Sequence, residues 1–383
     1  MPALRYFRPL PGALLTLLLL HAAPPNALRS FDRALLLEEQ GETSANVSIG
    51  DFNSDGFPDL VLAKGRHWPL QNRVLLNDGK GHFTAHNLGD TPDRTYTAAV
   101  ADLNGDGHLD IVVSNDHPDR KLVYFGDGKG NFSIAGTYGD PKWSTRNITL
   151  ADLNGDGRPD IIVANRGNPP TEPVASFVCF NDGKGAFPSC KPLPGTESAT
   201  SIIAADFDRD GAVDLFVPHR DGGRSEILWN DGKGNFQPTA FGPSKSNART
   251  AAAGDLNGDG LPDIVVGDVR EGSTVYLNTG HRTFSRPAHI GGKDQRPYSL
   301  AIADMNRDGK PDIVLGNADF PGSVFFNDGA GKTFREIRWN DGKGAVYGMA
   351  IGDLDGDGWP DIAAARSDAP NAIWFNTPVK SRP

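Results

Sequence analysis

Three observations on this chain predict an all-β fold built from seven radially arranged, four-stranded units. The motif D-x-[DN]-x-D-G-x-x-D occurs seven times, starting at Asp51, Asp102, Asp152, Asp206, Asp255, Asp304 and Asp353. Successive starts are 51, 50, 54, 49, 49 and 49 residues apart, and a period near fifty marks one supersecondary unit stacked on copies of itself. Gly (46) and Pro (29) make up about a fifth of the 383 residues, a composition suited to many short strands joined by tight turns. Four-stranded units repeated in a circle make a β-propeller, so seven motifs predict seven blades.

Residues 1–28 read as a secretory signal. Arg5 and Arg8 form a positive end, and the apolar run from Ala13 to Leu20 is too short to span a bilayer. Cleavage is expected between Ala22 and Arg29, which makes the protein secreted, periplasmic or cell-surface. No later stretch is long and apolar enough for a membrane helix. Residues 29–383 are then a single propeller, expected to act as a monomer.

The second unit shows the repeating pattern. Thr95 to Ala101 is a first strand, the acidic loop runs from Asp102 to Asp110, and Ile111-Val112-Val113 is a buried second strand. A variable loop from Asp116 to Arg120 leads to the third strand, Leu122 to Phe125. The turn Asp127-Gly128-Lys129-Gly130 then leads into a fourth strand, Asn131 to Ile134. β-Branched and aromatic residues punctuated by glycine turns are what antiparallel hairpins require. A Phe opens the fourth strand in six units, as Phe83, Phe132, Phe187, Phe236, Phe284 and Phe334. The seventh unit stops at Ile373-Trp374-Phe375-Asn376, and the missing pattern stands at the other end of the chain, in Ser30 to Ala34. That segment is predicted to complete the last blade and lock the ring. The two cysteines, Cys179 and Cys190, flank the third unit's turn and are expected to pair across a hairpin as a disulfide, as an exported protein allows.

Each acidic loop presents oxygen ligands at positions one, three, five and nine. In chain order these are Asp51, Asn53, Asp55 and Asp59; Asp102, Asn104, Asp106 and Asp110; Asp152, Asn154, Asp156 and Asp160; and Asp206, Asp208, Asp210 and Asp214. They continue as Asp255, Asn257, Asp259 and Asp263; Asp304, Asn306, Asp308 and Asp312; and Asp353, Asp355, Asp357 and Asp361. Hard oxygen donors in this number suit Ca²⁺, and the invariant glycine at position six permits the turn that folds them inward. Up to seven ions are expected, in a mainly structural role. A helix-flanked calcium hand does not fit, because it needs Glu at position twelve, where Leu62, Val113, Val163, Val217, Val266, Leu315 and Ala364 stand. A set of Asx-turns without an ion would leave three or four carboxylates repelling one another.

The net charge of −10 is therefore ligand charge, which seven divalent cations would roughly cancel. No basic run or RNA-binding signature points to nucleic acid. The sequence also lacks an HExxH helix, a G-x-S-x-G elbow and a cofactor loop.

The acidic loops, with turns such as Asn77-Asp78-Gly79-Lys80-Gly81 and Asn230-Asp231-Gly232-Lys233-Gly234, resemble the FG-GAP or VCBS repeat family. The propeller of integrin α-subunits is of this type. The resemblance runs from about residue 30 to 377 and implies a seven-bladed propeller with calcium in hairpin loops on one face. Integrin-type propellers usually carry fewer intact loops than the seven found here. The family includes adhesion modules, a fungal lectin type and propellers attached to sugar-modifying enzymes, so it implies fold and ion rather than function.

Strand direction places the acidic loops and Gly-Lys-Gly turns on one face and the variable loops on the other, where specificity is expected. Two rings of residues are predicted at the channel mouth on that second face. Six residues before each acidic loop stand Ala45, Tyr96, Arg146, Thr200, Arg249, Tyr298 and Tyr347; five residues after it stand Lys64, Asn115, Asn165, His219, Asp268, Asn317 and Arg366. Tyr, Arg, Asn and His side chains stack on sugar rings and pair with carboxylates or sulfates, although any solvated channel mouth is polar. Two functions follow. One is a non-catalytic recognition or adhesion module for a glycan or extracellular protein. The other is a lyase on acidic polysaccharides, which would need Tyr, His and Arg gathered at one spot rather than spread around the circle. Asn46, Asn131 and Asn147 head N-x-S/T sequons.

Overall fold

The computed structural model describes residues 29–167, 174–197, 199–292 and 294–379. The predicted leader therefore lies outside the described residues. Seven four-stranded antiparallel sheets form a ring. Blade one takes Ser44–Gly50, Asp59–Lys64, Arg73–Asn77 and Phe83–Asn87 in chain order from channel to rim, and blades two to six follow the same order. Blade five also carries a small hairpin, Asn278–Gly280 with Thr283–Phe284. Among the described residues no helix is long and apolar enough to cross a membrane.

Sequence pattern and burial agree strand by strand. Second strands such as Asp110–Asn115 and Asp312–Asn317 are buried along their whole length. Both their faces meet a neighbouring blade, which explains the unbroken Val, Ile and Leu runs. Fourth strands such as Phe83–Asn87 are exposed after the opening Phe. The core is divided into seven apolar clusters, one at each seam between blades, including the seam from blade seven to blade one.

Position two of each acidic loop builds these seams. Phe52, Leu103, Leu153, Phe207, Leu256, Met305 and Leu354 are all buried in the seam between their own blade and the next. Their backbone carbonyls face the next blade, where the Asn closing the third strand donates to them. Asn181 Nδ2 donates to Leu103 O (3.0 Å), Asn230 Nδ2 to Leu153 O (2.8 Å), Asn278 Nδ2 to Phe207 O (2.7 Å) and Asn327 Nδ2 to Leu256 O (2.7 Å). Asn376 and Asn77 repeat the bond across the two seams of blade seven, to Met305 O (2.7 Å) and Leu354 O (3.0 Å). Blade two has Gly126 instead, because a Cβ there would sit 2.2 Å from Leu109 O; its Gly130 N donates to Phe52 O (2.8 Å). Asn327→Ala is therefore expected to cost about 2–5 kcal/mol, since it strands several buried partners at once. Denaturant melts of the variant measure this, and a loss below about 0.5 kcal/mol, the level of an ordinary surface change, would dismiss the belt as decoration.

Closure follows the predicted scheme and extends it. Arg29–Leu36 pairs antiparallel with Ala372–Pro378, from Arg29↔Pro378 to Leu36↔Ala372. In blades one and three to six a turn glycine donates to the Asn closing the third strand, as Gly329 N does to Asn327 Oδ1 (3.0 Å). Blade seven has no such turn, and Arg29 Nε donates to Asn376 Oδ1 (2.7 Å) in its place, with Nη2 on Asn376 O (2.6 Å). Cys179 and Cys190 stand opposite each other in register and are joined as a disulfide.

Candidate functional site

The first strands line the central channel, and at the end away from the acidic loops it opens into a cavity of about 450 Å³. All seven residues of the first predicted ring, Ala45, Tyr96, Arg146, Thr200, Arg249, Tyr298 and Tyr347, lie in its wall. The backbone explains their aim. In six blades the register between first and second strand skips one residue, and the skipped residue is the ring residue: Ala45, Tyr96, Arg146, Arg249, Tyr298 or Tyr347. A β-bulge turns a side chain out of the pleat and often does so beside a functional site.

The second ring is corrected by the structure. Asn115, Asn165 and Arg366 are buried away from the cavity and hold loops in place. Asn115 Oδ1 accepts from Thr95 Oγ1 (2.7 Å) while its Nδ2 donates to Arg120 O (2.7 Å), and Asn165 does the same with Thr145 (2.8 Å) and Ala175 (3.1 Å). Arg366 donates to Pro370 O (2.6 Å) and Asp341 Oδ1 (2.7 Å). His219, half-buried, reaches Gly195 O (3.3 Å) rather than the channel. Neighbouring strand residues face opposite ways, and only in blades one, three and four does a later residue turn to the cavity. The residues one or two places further on, Arg66, Arg166 and Arg220, line the cavity together with His67.

Arginine and tyrosine alternate around one side of this mouth. The Arg146 guanidinium lies 4.6 Å from the Tyr96 ring, Arg66 lies 5.8 Å from Tyr96 and 3.6 Å from Tyr347, and Arg249 lies 4.9 Å from Tyr347 and 3.7 Å from Tyr298. Tyr298 and Tyr347 meet edge to face at 5.0 Å. Stacking on the rings fixes each guanidinium plane and adds a cation–π attraction. Asp116 pairs with Arg146 (2.6 Å), and Asp221 pairs with Arg166 (2.9 Å) and Arg220 (3.4 Å). Tyr96 Oη lies 2.9 Å from His67 Nε2. Burial, then the Arg146 and Arg66 charges, hold the His67 pKa below its usual value, which favours the neutral imidazole; burial raises that of Tyr96.

On the opposite face the acidic loops share one architecture. The position-one carboxylate accepts backbone N–H bonds from within its loop, as Asp51 Oδ2 does from Gly56 N (2.9 Å). Position nine is fully buried and ties the loop to the blade, with Asp59 Oδ2 accepting from Phe52 N (2.8 Å) and Oδ1 from Asn77 N (2.7 Å). Burial is the largest cause of raised pKa values here, to about 6 for Asp59, Asp160 and Asp263 and about 7 for Asp214, Asp312 and Asp361, and neighbouring carboxylates add to it. A cation beside these groups would reverse that push. The carboxylates of Asp206, Asp208 and Asp210, and those of Asp353, Asp355 and Asp357, lie within 4.8 Å of one another. In these two loops Asp206 Oδ1 and Asp355 Oδ1 are buried with no hydrogen-bond partner. Their extra acid at position three meets an arginine, Arg282 on Asp208 (2.7 Å) and Arg33 on Asp355. A hard, oxygen-rich donor set with orphaned carboxylate atoms fits a divalent cation of the Ca²⁺ type.

Comparison with known proteins agrees with this architecture. The FG-GAP-like repeat model matches residues 51–113, 102–163, 206–266 and 255–315, and the FG-GAP repeat model matches 144–184. The chain is similar in fold to BP39L lectin from Burkholderia pseudomallei, with TM-score 0.68 at 14% identity over 88% of this chain and 99% of that one. It is also similar to a chain of the crystal structure of BBS1N in complex with ARL6DN, with TM-score 0.59 at 12% identity over 91% and 95% of the two chains.

Proposed function

The chain belongs to the FG-GAP-like repeat family, and from that premise we propose that it is an exported, calcium-loaded recognition module that takes its ligand at the channel mouth. The single observation that carries this reading is the bulge-built ring, which aims Tyr and Arg side chains from separate blades into one cavity. Rigid strands, rather than mobile loops, hold these groups, and such preorganisation suits binding. Glycan is the leading ligand class, because stacked aromatic faces with charged donors between them match a sugar's apolar face and polar rim. That one protein of the same fold is a lectin supports this choice, while the BBS1N–ARL6DN complex keeps a protein partner as the alternative. Calcium in the seven acidic loops then serves the scaffold, on the face away from the ligand.

One observation favours a second reading. The spread around the circle that spoke against an enzyme does not hold for Tyr96, His67, Arg66 and Arg146, which meet at one point of the rim. A neutral His67, beside Tyr96, would take the proton α to a uronate carboxylate while arginine holds the carboxylate. The released electron pair would form a C=C bond as the C4–O bond breaks, and the leaving oxygen would take up a proton.

A binding screen of the calcium-loaded protein against neutral and acidic glycans, followed for breakdown, separates the two. Binding without turnover is expected. Replacing Tyr298 and Arg249 together by Ala is expected to abolish binding while the calcium content stays intact. Affinity retained in that double variant would remove the ligand from the channel mouth, and ultraviolet-absorbing unsaturated uronate products would move the chain to the lyases.

A further inference from the structure

We propose that the ligand is an acidic glycan, whose carboxylate or sulfate groups enter the cavity between Arg66 and Arg249 while a following ring stacks on Trp68. This rests on the recognition reading and narrows it. Five arginines line the cavity, and among the described residues none that lines it is acidic. Two nearby carboxylates, Asp116 and Asp221, engage Arg146, Arg166 and Arg220. Arg66 and Arg249 are left facing aromatic rings, with no carboxylate in salt-bridge reach among the described residues. So dense a positive site in a chain of net charge −10 runs against its composition and needs an anion to balance it.

The geometry is that of anion capture. A guanidinium held over a ring can turn an N–H edge to a carboxylate or sulfate for bidentate bonds; of the two, Arg66 spends Nη1 on Ser367 Oγ (3.1 Å) and keeps its other N–H groups. The Nε atoms of Arg66 and Arg166 are buried and have no hydrogen-bond partner, a cost that an anion drawing either guanidinium outward would relieve. Arg66 is placed by a left-handed turn, with φ of 105° at Gly65 and 51° at Arg66. A Cβ on Gly65 would lie 2.3 Å from Trp68 O. A non-glycine residue in that region is strained, and such strain gathers at ligand sites.

Size and the neighbouring indole select the ligand. About 450 Å³ lies within the ~300–1,000 Å³ of small-ligand clefts, and it is a pit rather than the ~800 Å² face that a protein partner covers. Trp68 follows Arg66 and His67 on the same turn and is 69% exposed. An exposed indole beside a charged pit suits a ligand that continues outward as a second apolar-faced ring, as an oligosaccharide does.

Calorimetric titration with a galacturonate hexasaccharide, its fully methyl-esterified counterpart and a sulfated galactan hexasaccharide tests this. At least one of the two charged hexamers is expected to bind, with the ester roughly tenfold or more weaker and with affinity falling as salt rises. R66Q and R249Q are each expected to lose about tenfold or more, and W68A to weaken the hexamer but not monomeric galacturonate. Should R249Q fail to fold, judged by its melt, R66Q combined with R166Q carries the same test. A preference for the uronate or for the sulfated chain names the source of the anion, and either supports the proposal. Equal affinity for acid and ester, or binding indifferent to these arginines, overturns it while leaving glycan recognition standing. Silence across all three, with a neutral glycan or a protein bound elsewhere, overturns the acidic-glycan inference alone; silence across every glycan and partner overturns both.

Discussion

Removing residues 29–36 is expected to abolish cooperative folding of this protein. The lost strand contributes six register pairs to blade seven, and backbone hydrogen bonds are worth about 0.5–1.5 kcal/mol each. It also contributes Phe31, buried in the seam between blades six and seven, whose burial adds roughly 1.5–3 kcal/mol. With Arg29 goes the guanidinium that stands in for a turn glycine at Asn376 and lies 3.7 Å from the Trp359 ring. Together these approach the ~5–15 kcal/mol that holds a typical protein folded. The freed edge would display Ile373, Trp374 and Phe375 and invite aggregation. Thermal unfolding of the shortened chain measures the effect, and adding residues 29–37 as a peptide is expected to restore a single transition. A shortened chain that melts in one step within a few degrees of the full one would show that the ring closes without its N-terminal strand.

That closing strand was legible because the missing fourth-strand pattern of the seventh unit reappears around Phe31. Arg29 was not, because nothing local marks it; its partner Asn376 is 347 residues away. The seven-blade count, the strand order and the opposed cysteines were likewise readable, since each follows from a repeat or from the fixed period of a strand. The seam belt was only half visible. The Asn of the Asn-Asp-Gly-Lys-Gly turns stood out as turn chemistry, yet its Nδ2 serves the neighbouring blade, and contact between units is invisible in a pattern read one unit at a time.

The channel mouth shows a sharper limit. The ring six residues before each acidic loop follows by counting back from a fixed landmark, and in six blades the count holds because the first strand is seven or eight residues long; Thr200 reaches the cavity wall from outside the short strand Ile203–Ala205. Counting forward by five misses at Asn115, Asn165, His219 and Arg366: in blades three and four the cavity takes the next residue, Arg166 or Arg220, and in blades two and seven it takes none from this loop. The signal that separates them was present: the fifth place holds mostly short polar residues suited to tying a loop, whereas Arg166 and Arg220 stand at the sixth. The bulge that aims Tyr96 or Tyr298 left no such signal, since it lies in the pairing register and not in residue type.

Chelation of calcium is expected to lower the melting temperature by roughly 4–13 °C, measured against the protein in about 1 mM Ca²⁺. The estimate follows from linkage: a site with Kd of about 10⁻⁴–10⁻³ M, as in extracellular modules, gains about 0.4–1.4 kcal/mol at that concentration. Seven independent loops give about 3–10 kcal/mol, and an unfolding entropy near 2.1 cal/mol/K per residue converts this to degrees. The structure gives reason for the effect to reach the whole ring. The position-two residue of each acidic loop packs in a seam and takes a hydrogen bond from the next blade, and position nine anchors the third strand of its own blade. A loop loosened by carboxylate repulsion therefore loosens a seam, and every seam has one. Asp206→Asn tests a single loop: it removes charge from a cluster where Asp206 Oδ1 has no partner, so it is expected to lower the bound calcium by one ion and shift the melt by a fraction of the full amount. An unchanged melt after verified removal of metal would leave these loops as turns whose carboxylates are held by hydrogen bonds and ion pairs within the protein.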